Sequence, residues 1–496
     1  MASRRFVPRA WVLVLFGVML VVIAVRWQST VDAVRALTYR PPPSSGSIYP
    51  PYGAYPQITP TAEFETFFNV VSSDPDVKNQ AKFDIDSGWE DFYTVLLLEL
   101  AQVRGMSEVQ DLLIRNTNQQ HRQYKDWWTW IWNKAPAMPP RYADFKAVVY
   151  SVVDFRFHEY FDDNPPHTIR LEEVRWASIR RDGIPPLVKP EMIRAADAEY
   201  LDDGNLVFGV EINGEAVAYP KRILKRHEIV RDTVGGESIN GVYCLLCDSM
   251  IVYRATVDGV HYGLGTSGFV YRSNKLLYDQ ETKSLWSAFN GEPVVGPLVG
   301  QDIHLERFPV VTTTWSEWRR RHPETKVLSL ISALVTGNAN DYSEGTAFSE
   351  YFNTDELLFF SVPKLDERLK NKDEVLAIRV ADAADDQLAI SVAFLAENPV
   401  LHEQVGSTEF AVLTDSSGAS RVYETHGRKF EAWDGDDAVR DDQGANWQVT
   451  EAALVGDNGA DQLKRLPAHR AFWFGWYSAY PETRLVKQTN VPEQAP

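Results

Sequence analysis

The stretch "LERFPVVTTTWSEWRRRHPETKVL" (residues 305–328) returns without a gap as "LKRLPAHRAFWFGWYSAYPETRLV" (residues 463–486). Both obey L-x-R-[FL]-P-x5-W-x2-W-x4-P-E-T-[KR], and two tryptophans and two prolines at one offset exceed coincidence. Upstream, "VFGVEI" from Val207 is echoed by "VLAIRV" from Val375, and "DQETKSLW" from Asp279 loosely by "DDQGANW" from Asp441. The chain therefore reads as two related halves, 166–330 and 331–490. A repeat of this length is too long for a solenoid unit, so the expectation is two similar β-rich domains packed as a pseudo-symmetric pair.

Within the first half, "LVFGVEINGEAVAYP" alternates apolar residues around Asn213-Gly214, the favoured two-residue hairpin turn. "LLYDQETKSLW" reads as a second hairpin turning over residues 279–282. Residues 61–165 have a different texture. "SGWEDFYTVLLLELAQVRG" predicts a helix with a serine-glycine start and a closing glycine, and "MSEVQDLLIRNTNQQ" predicts a second. "DFKAVVYSVVDFRFHEYFDD" adds one more, ending before Pro165. Trp127, Trp128, Trp130 and Trp132 crowd the segment before it. A membrane surface or a sugar groove would use such a cluster, but packing between helices is the expectation, because tryptophan supplies large apolar area. The fold class is thus α+β: a helical domain over 61–165, followed by two related β-rich domains that form an internal duplication.

The N-terminus carries Arg4, Arg5 and Arg9, followed by 16 uncharged residues from Ala10 to Val25. That length is near the lower limit for crossing a bilayer, and the basic flank predicts a cytoplasmic N-terminus. No small-x-small cleavage signal follows closely, so residues 1–27 are expected to be a membrane anchor or signal segment, with an uncleaved anchor, in contact with lipid through residues 10–27, favoured over a removed signal peptide. The proline-dense linker, 28–60, would lift the body off the membrane into the periplasm or onto the cell surface. The net charge is -18, and residues 1–26 hold four arginines and no acid, leaving about -22 on the remainder. Such a body repels nucleic acid, so no nucleic-acid partner is expected.

The only two cysteines, Cys244 and Cys247, stand three positions apart in "GVYCLLCDSMIVYR". A gap-free alignment of "YCLLCDS" with "FAVLTDS" sets Phe410 opposite Tyr243, Ala411 opposite Cys244 and Thr414 opposite Cys247. One half has the thiols and the other does without them, which favours a site over a requirement of the fold. Four readings compete. Thiolates at C-x-x-C spacing converge on copper or zinc, with His227 as the further ligand and Glu228, Asp248 and Met250 as other candidates. The pair also suits a redox-active dithiol, although the following "MIVYRATV" continues as a strand and not as the helix of a thioredoxin. An inert disulfide and two small buried residues are the remaining readings. A zinc deaminase needs H-x-E and a proline before the first cysteine; here His227 and Glu228 are adjacent and Tyr243 takes the proline's place, which removes that reading. "GTSG" is not a nucleophile elbow, which removes the serine-hydrolase reading. Ser267, Tyr271, Ser273 and Asn274 nevertheless offer polar groups for a pocket, with Glu228 or Asp279 as a proton carrier.

These residues carry a family resemblance. "IRLEEVRWASIRRDGIPPL", "AYPKRILKRHEIVRDTVGG", "YCLLCDSMIVY", "GTSGFVYRSNKLLYDQETKSLW" and "TTTWSEWRRRHPETKVLS", in this order, resemble the bacterial domain of unknown function 3179. The family pattern has His-Glu-Ile-Val-Asn-Asp and Tyr-Cys-Pro-Leu-Cys-Gly-Thr; this chain matches it at His227, Glu228, Cys244 and Cys247. It departs with Arg231 for Asn, Leu245 for Pro and Asp248-Ser249 for Gly-Thr. The resemblance implies no activity. The functional expectation is a membrane-anchored extracytoplasmic protein with a copper or zinc centre at Cys244, Cys247 and His227. The alternatives are a thiol redox protein and a non-enzymatic scaffold that binds an exported protein or a glycan.

Overall fold

Leucine on every side of one helix sets the first core. In Tyr93–Arg104 the residues Leu96, Leu97, Leu98 and Leu100 are all buried, so this helix is surrounded by protein. The computed structural model describes residues 61–487 apart from 332–341, 343–347, 358–360, 381–382, 384, 434 and 436. The helices Pro75–Ser87, Gln110–Thr117, Tyr124–Lys134 and Tyr142–Ser151 pack around the leucine-rich one. Ser87-Gly88, read above as a helix start, instead closes the Pro75–Ser87 helix, whose Asp84 carbonyl accepts the Gly88 N–H at 3.2 Å. Trp127, Trp128 and Trp132 are buried packing residues, as expected, and Trp132 Nε1 donates to the Glu172 carbonyl at 2.8 Å. Residues 10–27 and the proline-rich segment lie outside the described residues. Among the described residues, no helix is long and apolar enough to cross a membrane.

The remainder is β-rich, and its two halves lay out their strands alike. In the first, Val311–Thr314 pairs antiparallel with Leu206–Ile212, which pairs antiparallel with Glu215–Pro220, which pairs parallel with Lys326–Leu328. In the second, Ala468–Phe472, Glu374–Ile378, Leu388–Ser391 and Arg484–Val486 follow the same order and directions. The repeated W-x4-P-E-T has a physical cause. Trp318 Nε1 donates to Thr325 Oγ1 at 2.9 Å, and Thr325 donates to the Ala216 carbonyl at 3.1 Å. Trp476, Thr483 and the Gln387 carbonyl repeat both bonds at 2.9 and 3.1 Å. Each threonine thereby ties a helix to the start of the parallel neighbour strand, Glu215–Pro220 in the first half and Leu388–Ser391 in the second.

A second ladder in each half corrects the alignment of the cysteines. Ile229–Val234 pairs with Glu237–Cys244 so that Ile229 faces Val242, whereas Val400–Val405 pairs with Thr408–Thr414 so that Val400 faces Leu413. The next strands place Tyr253 against Arg307 and Tyr423 against Arg465, equivalent positions of the repeated motif. Thr414 therefore stands where Tyr243 does, and Asp415 stands where Cys244 does. The gap-free alignment was four residues out of register. Side chains alternate with period two, so an even shift preserves the apolar pattern and hides the error. After Cys244 the turn is Leu-Leu-Cys-Asp; after Asp415 it is Ser-Ser-Gly. Asp415 accepts the Ser417 and Ala419 N–H groups and pairs with Arg421 at 3.0 Å.

Thr325 and Thr483 are buried, and valine would keep their shape while orphaning an indole N–H. Thr325→Val and Thr483→Val are each expected to lower the unfolding free energy by about 1–3 kcal/mol. Urea denaturation of the two single variants checks this, and the losses should be of similar size.

Candidate functional site

Cys244 ends its strand, and the chain turns through residues 245–248 into Ser249–Arg254. Asp248 fixes the turn from within: its carboxylate accepts the Tyr243 hydroxyl at 2.7 Å and the Lys221 ammonium at 2.6 Å. The second half fixes it from outside. The Phe472 N–H donates to the Cys247 carbonyl at 2.7 Å, and Gly475 lies so close that an added Cβ would sit 3.0 Å from Cys247 Sγ. Cys247 is fully buried; its sulfur reaches the Ser273 carbonyl and receives the Asn274 amide, both at 3.5 Å.

The two thiols differ in acidity. Burial pushes Cys244 up, but donation from the Cys247 thiol and from the backbone N–H groups of Cys247, Lys275 and Leu246 more than reverses this, leaving it below the usual thiol value. Burial and the neighbouring Cys244 sulfur push Cys247 well above that value. Cys244 is thus the more acidic of the two thiols, with Cys247 as its donor.

Cys244 lines a cavity of about 500 Å³ between the helices and the first β-rich part. Three neighbouring strands bring further polar groups to it. Arg175 faces Val270, and Val270 faces Lys275, so Arg175 and Lys275 share one face of the sheet on either side of an apolar residue. Both line the cavity, as does Glu228. Glu228 occupies the left-handed position, φ 58°, that ends the Lys221–His227 helix, and its Oε2 contacts Lys275 Nζ. Burial pushes the Lys275 ammonium down to about 7. The "GTSG" motif builds the wall. The strand loses register between Thr266 and Val270, where Ser267 Oγ donates to the Leu276 carbonyl and Gly268, at φ 92°, passes where a Cβ would lie 2.8 Å from the Ile179 carbonyl.

The residues expected from the sequence separate here. His227 is fully buried away from the thiols' donor set: Nδ1 meets the Pro185 carbonyl at 3.0 Å and Nε2 the Tyr342 hydroxyl at 2.6 Å. Burial pushes its imidazole below the usual range, the Pro185 carbonyl opposing. Among the described residues, no group of three or more His, Cys, Asp or Glu side chains is placed to hold a metal ion. Both ring nitrogens of His227 thus have partners other than the two thiols. Asp279 is committed to structure, accepting from the Glu281 and Thr282 N–H groups, the Thr282 hydroxyl and Trp286 Nε1. Asp441 and Trp447 repeat the aspartate–indole bond at 3.0 Å in the second half. Ser273 donates to the Ser361 carbonyl, whereas Tyr271 and Asn274 line a separate small cavity of about 70 Å³.

Sequence reasoning missed Arg175 and Lys275. The available signal was a charged residue inside a short apolar strand, in "VRW" and in "NKLLYD". A family model described as "Protein of unknown function (DUF3179)" matches residues 181–483, more than half of the chain. The chain belongs to the DUF3179 family. Glu228, Cys244 and Lys275 lie inside the DUF3179 match, while Arg175 and the helical wall lie before it. No curated protein and no solved structure matches the chain.

Glu228 and Lys275 are 7% and 6% exposed, so breaking the pair leaves a charge without solvent. Lys275→Met is expected to lower stability by about 3–5 kcal/mol, and the double variant Glu228→Gln, Lys275→Met to recover most of that loss. Guanidinium denaturation of the cycle tests it.

Proposed function

We propose that the protein is a thiol centre for small molecules, with Cys244 as the reactive group and Cys247 as its resolving partner. The observation that carries this reading is the placement of the acidic thiol on a cavity wall while the less acidic one sits behind it, donating to it. Thiol–disulfide exchange follows from that order. The Cys244 thiolate attacks one sulfur of a bound disulfide, forming a mixed disulfide and releasing the other sulfur as a thiolate. Cys247, losing its proton to that leaving thiolate or to the Glu228–Lys275 pair, then attacks Cys244 Sγ. The products are a Cys244–Cys247 disulfide and two substrate thiols, so the protein is oxidised by two electrons and the substrate is reduced by two.

The arginine-flanked apolar segment supports placing the body outside the cytoplasm, where disulfides persist. The matched strand orders and the repeated Trp–Thr bonds support descent of the two β-rich parts from one unit, with the thiols confined to the first. Reciprocal contacts agree with this. The strand ending at Phe472 meets the 245–248 turn, and the strand ending at Thr314 meets the 416–418 turn through Thr313 and Ser417 at 3.3 Å.

Alkylation by iodoacetamide should proceed at Cys244 ahead of Cys247, with a pH midpoint below the ~8.5 of a free thiol. Mass spectrometry across a glutathione redox series should show a Cys244–Cys247 disulfide, absent in Cys247→Ser. Two thiols that never interconvert with a disulfide, or an unreactive Cys244, sink the reading.

A further inference from the structure

We propose that the cavity selects molecules bearing a carboxylate on an apolar body, and that Arg175 is the group that holds the carboxylate. The inference names the substrate class of the thiol centre proposed above and rests on that reading for its chemistry, though not for its binding.

Arg175 is 4% exposed and lies on the cavity wall. Its guanidinium is flanked by the rings of Tyr124 and Trp128, each 4.9 Å away. Nε and Nη1 have no hydrogen-bond partner, and among the described residues no carboxylate forms an ion pair with it. The nearby charges are already committed. Glu99 takes Lys146 and the hydroxyls of Tyr142 and Tyr150. Glu172 and Glu173 take Arg170, and Glu173 also takes Arg272. Glu228 contacts Lys275. Among the described residues that line the cavity, Lys275 has Glu228 and Arg175 has no carboxylate.

A buried guanidinium without an anion is costly, and two aromatic faces offset only part of that cost. Its planar fork matches a carboxylate bidentately, and a single unmatched positive charge calls for a single negative one. The remaining walls, including Met106, Trp176, Leu246 and Phe269, are apolar and suit a hydrocarbon or aromatic body. The carboxylate end and the Cys244 end of the cavity would then orient a ligand between them.

Calorimetric titration of the full-length protein with phenylbutanoate and with phenylbutanamide tests this. The carboxylate is expected to bind at least about tenfold more tightly than the amide. Arg175→Met should erase that preference, and Arg175→Lys should keep part of it. The unfolding midpoint of Arg175→Met should stay level or rise, because a merely structural arginine would lower it on removal. Equal affinities in the parent protein, no binding of either probe, or a preference that survives Arg175→Met would each overturn the proposal. Reaction of Cys244 with the neutral disulfide dithiodipyridine, run in parallel, separates the two ideas. An inert thiol beside an intact carboxylate preference defeats the thiol centre alone, and a reactive thiol without the preference defeats the carboxylate site alone.

Discussion

The bond from the Phe472 N–H to the Cys247 carbonyl is the contact on which the site depends. It joins the end of a strand in one half to the turn that carries the thiols in the other. Gly475 closes over the same sulfur, where there is no room for a side chain without displacement. The turn is thereby fixed between Asp248, which holds it internally, and the second half, which covers it. A short loop with two thiols in solvent would sample many geometries. Here the backbone N–H groups that lower the pKa of Cys244 are held in place by packing, which is the general way a polar site is pre-organised.

The contrast between the halves shows what that turn is for. Asp415, at the position of Cys244, satisfies its own three-residue turn and an arginine, and so it is closed on itself. Cys244 receives the N–H groups of Leu246, Cys247 and Lys275 and lines the cavity. The same ladder therefore supports an aspartate turn tied to an arginine in one copy and a buried thiol on a cavity wall in the other.

Much of this was legible in the sequence. The duplication was readable because its tryptophans, prolines and threonines keep one fixed spacing, and the Trp–Thr bonds explain why that spacing holds. The Asn213-Gly214 hairpin was readable from turn chemistry, with Asn213 at φ 50° and Gly214 at φ 82°. The register of the cysteine strand was not, because alternating apolar residues look alike after any even shift. Asp279 looked like a proton carrier, yet an aspartate six or seven residues before a tryptophan serves in both halves as a bracket for an indole N–H. His227 looked like a ligand because a sequence does not show that Pro185 and Tyr342 occupy both ring nitrogens. Arg175 and Lys275 needed the sheet itself, since only cross-strand pairing sets them on either side of Val270.

The cavity has walls from two sources. The sulfur and the acid–amine pair come from the stretch shared with the family, whereas Arg175, its aromatic flanks and much of the apolar lining come from chain that precedes it. The proposed chemistry and the proposed selectivity would thus sit on separate stretches of chain. A substitution at Met106 or Tyr124 would then reshape the cavity while leaving the sulfur-bearing turn as it is.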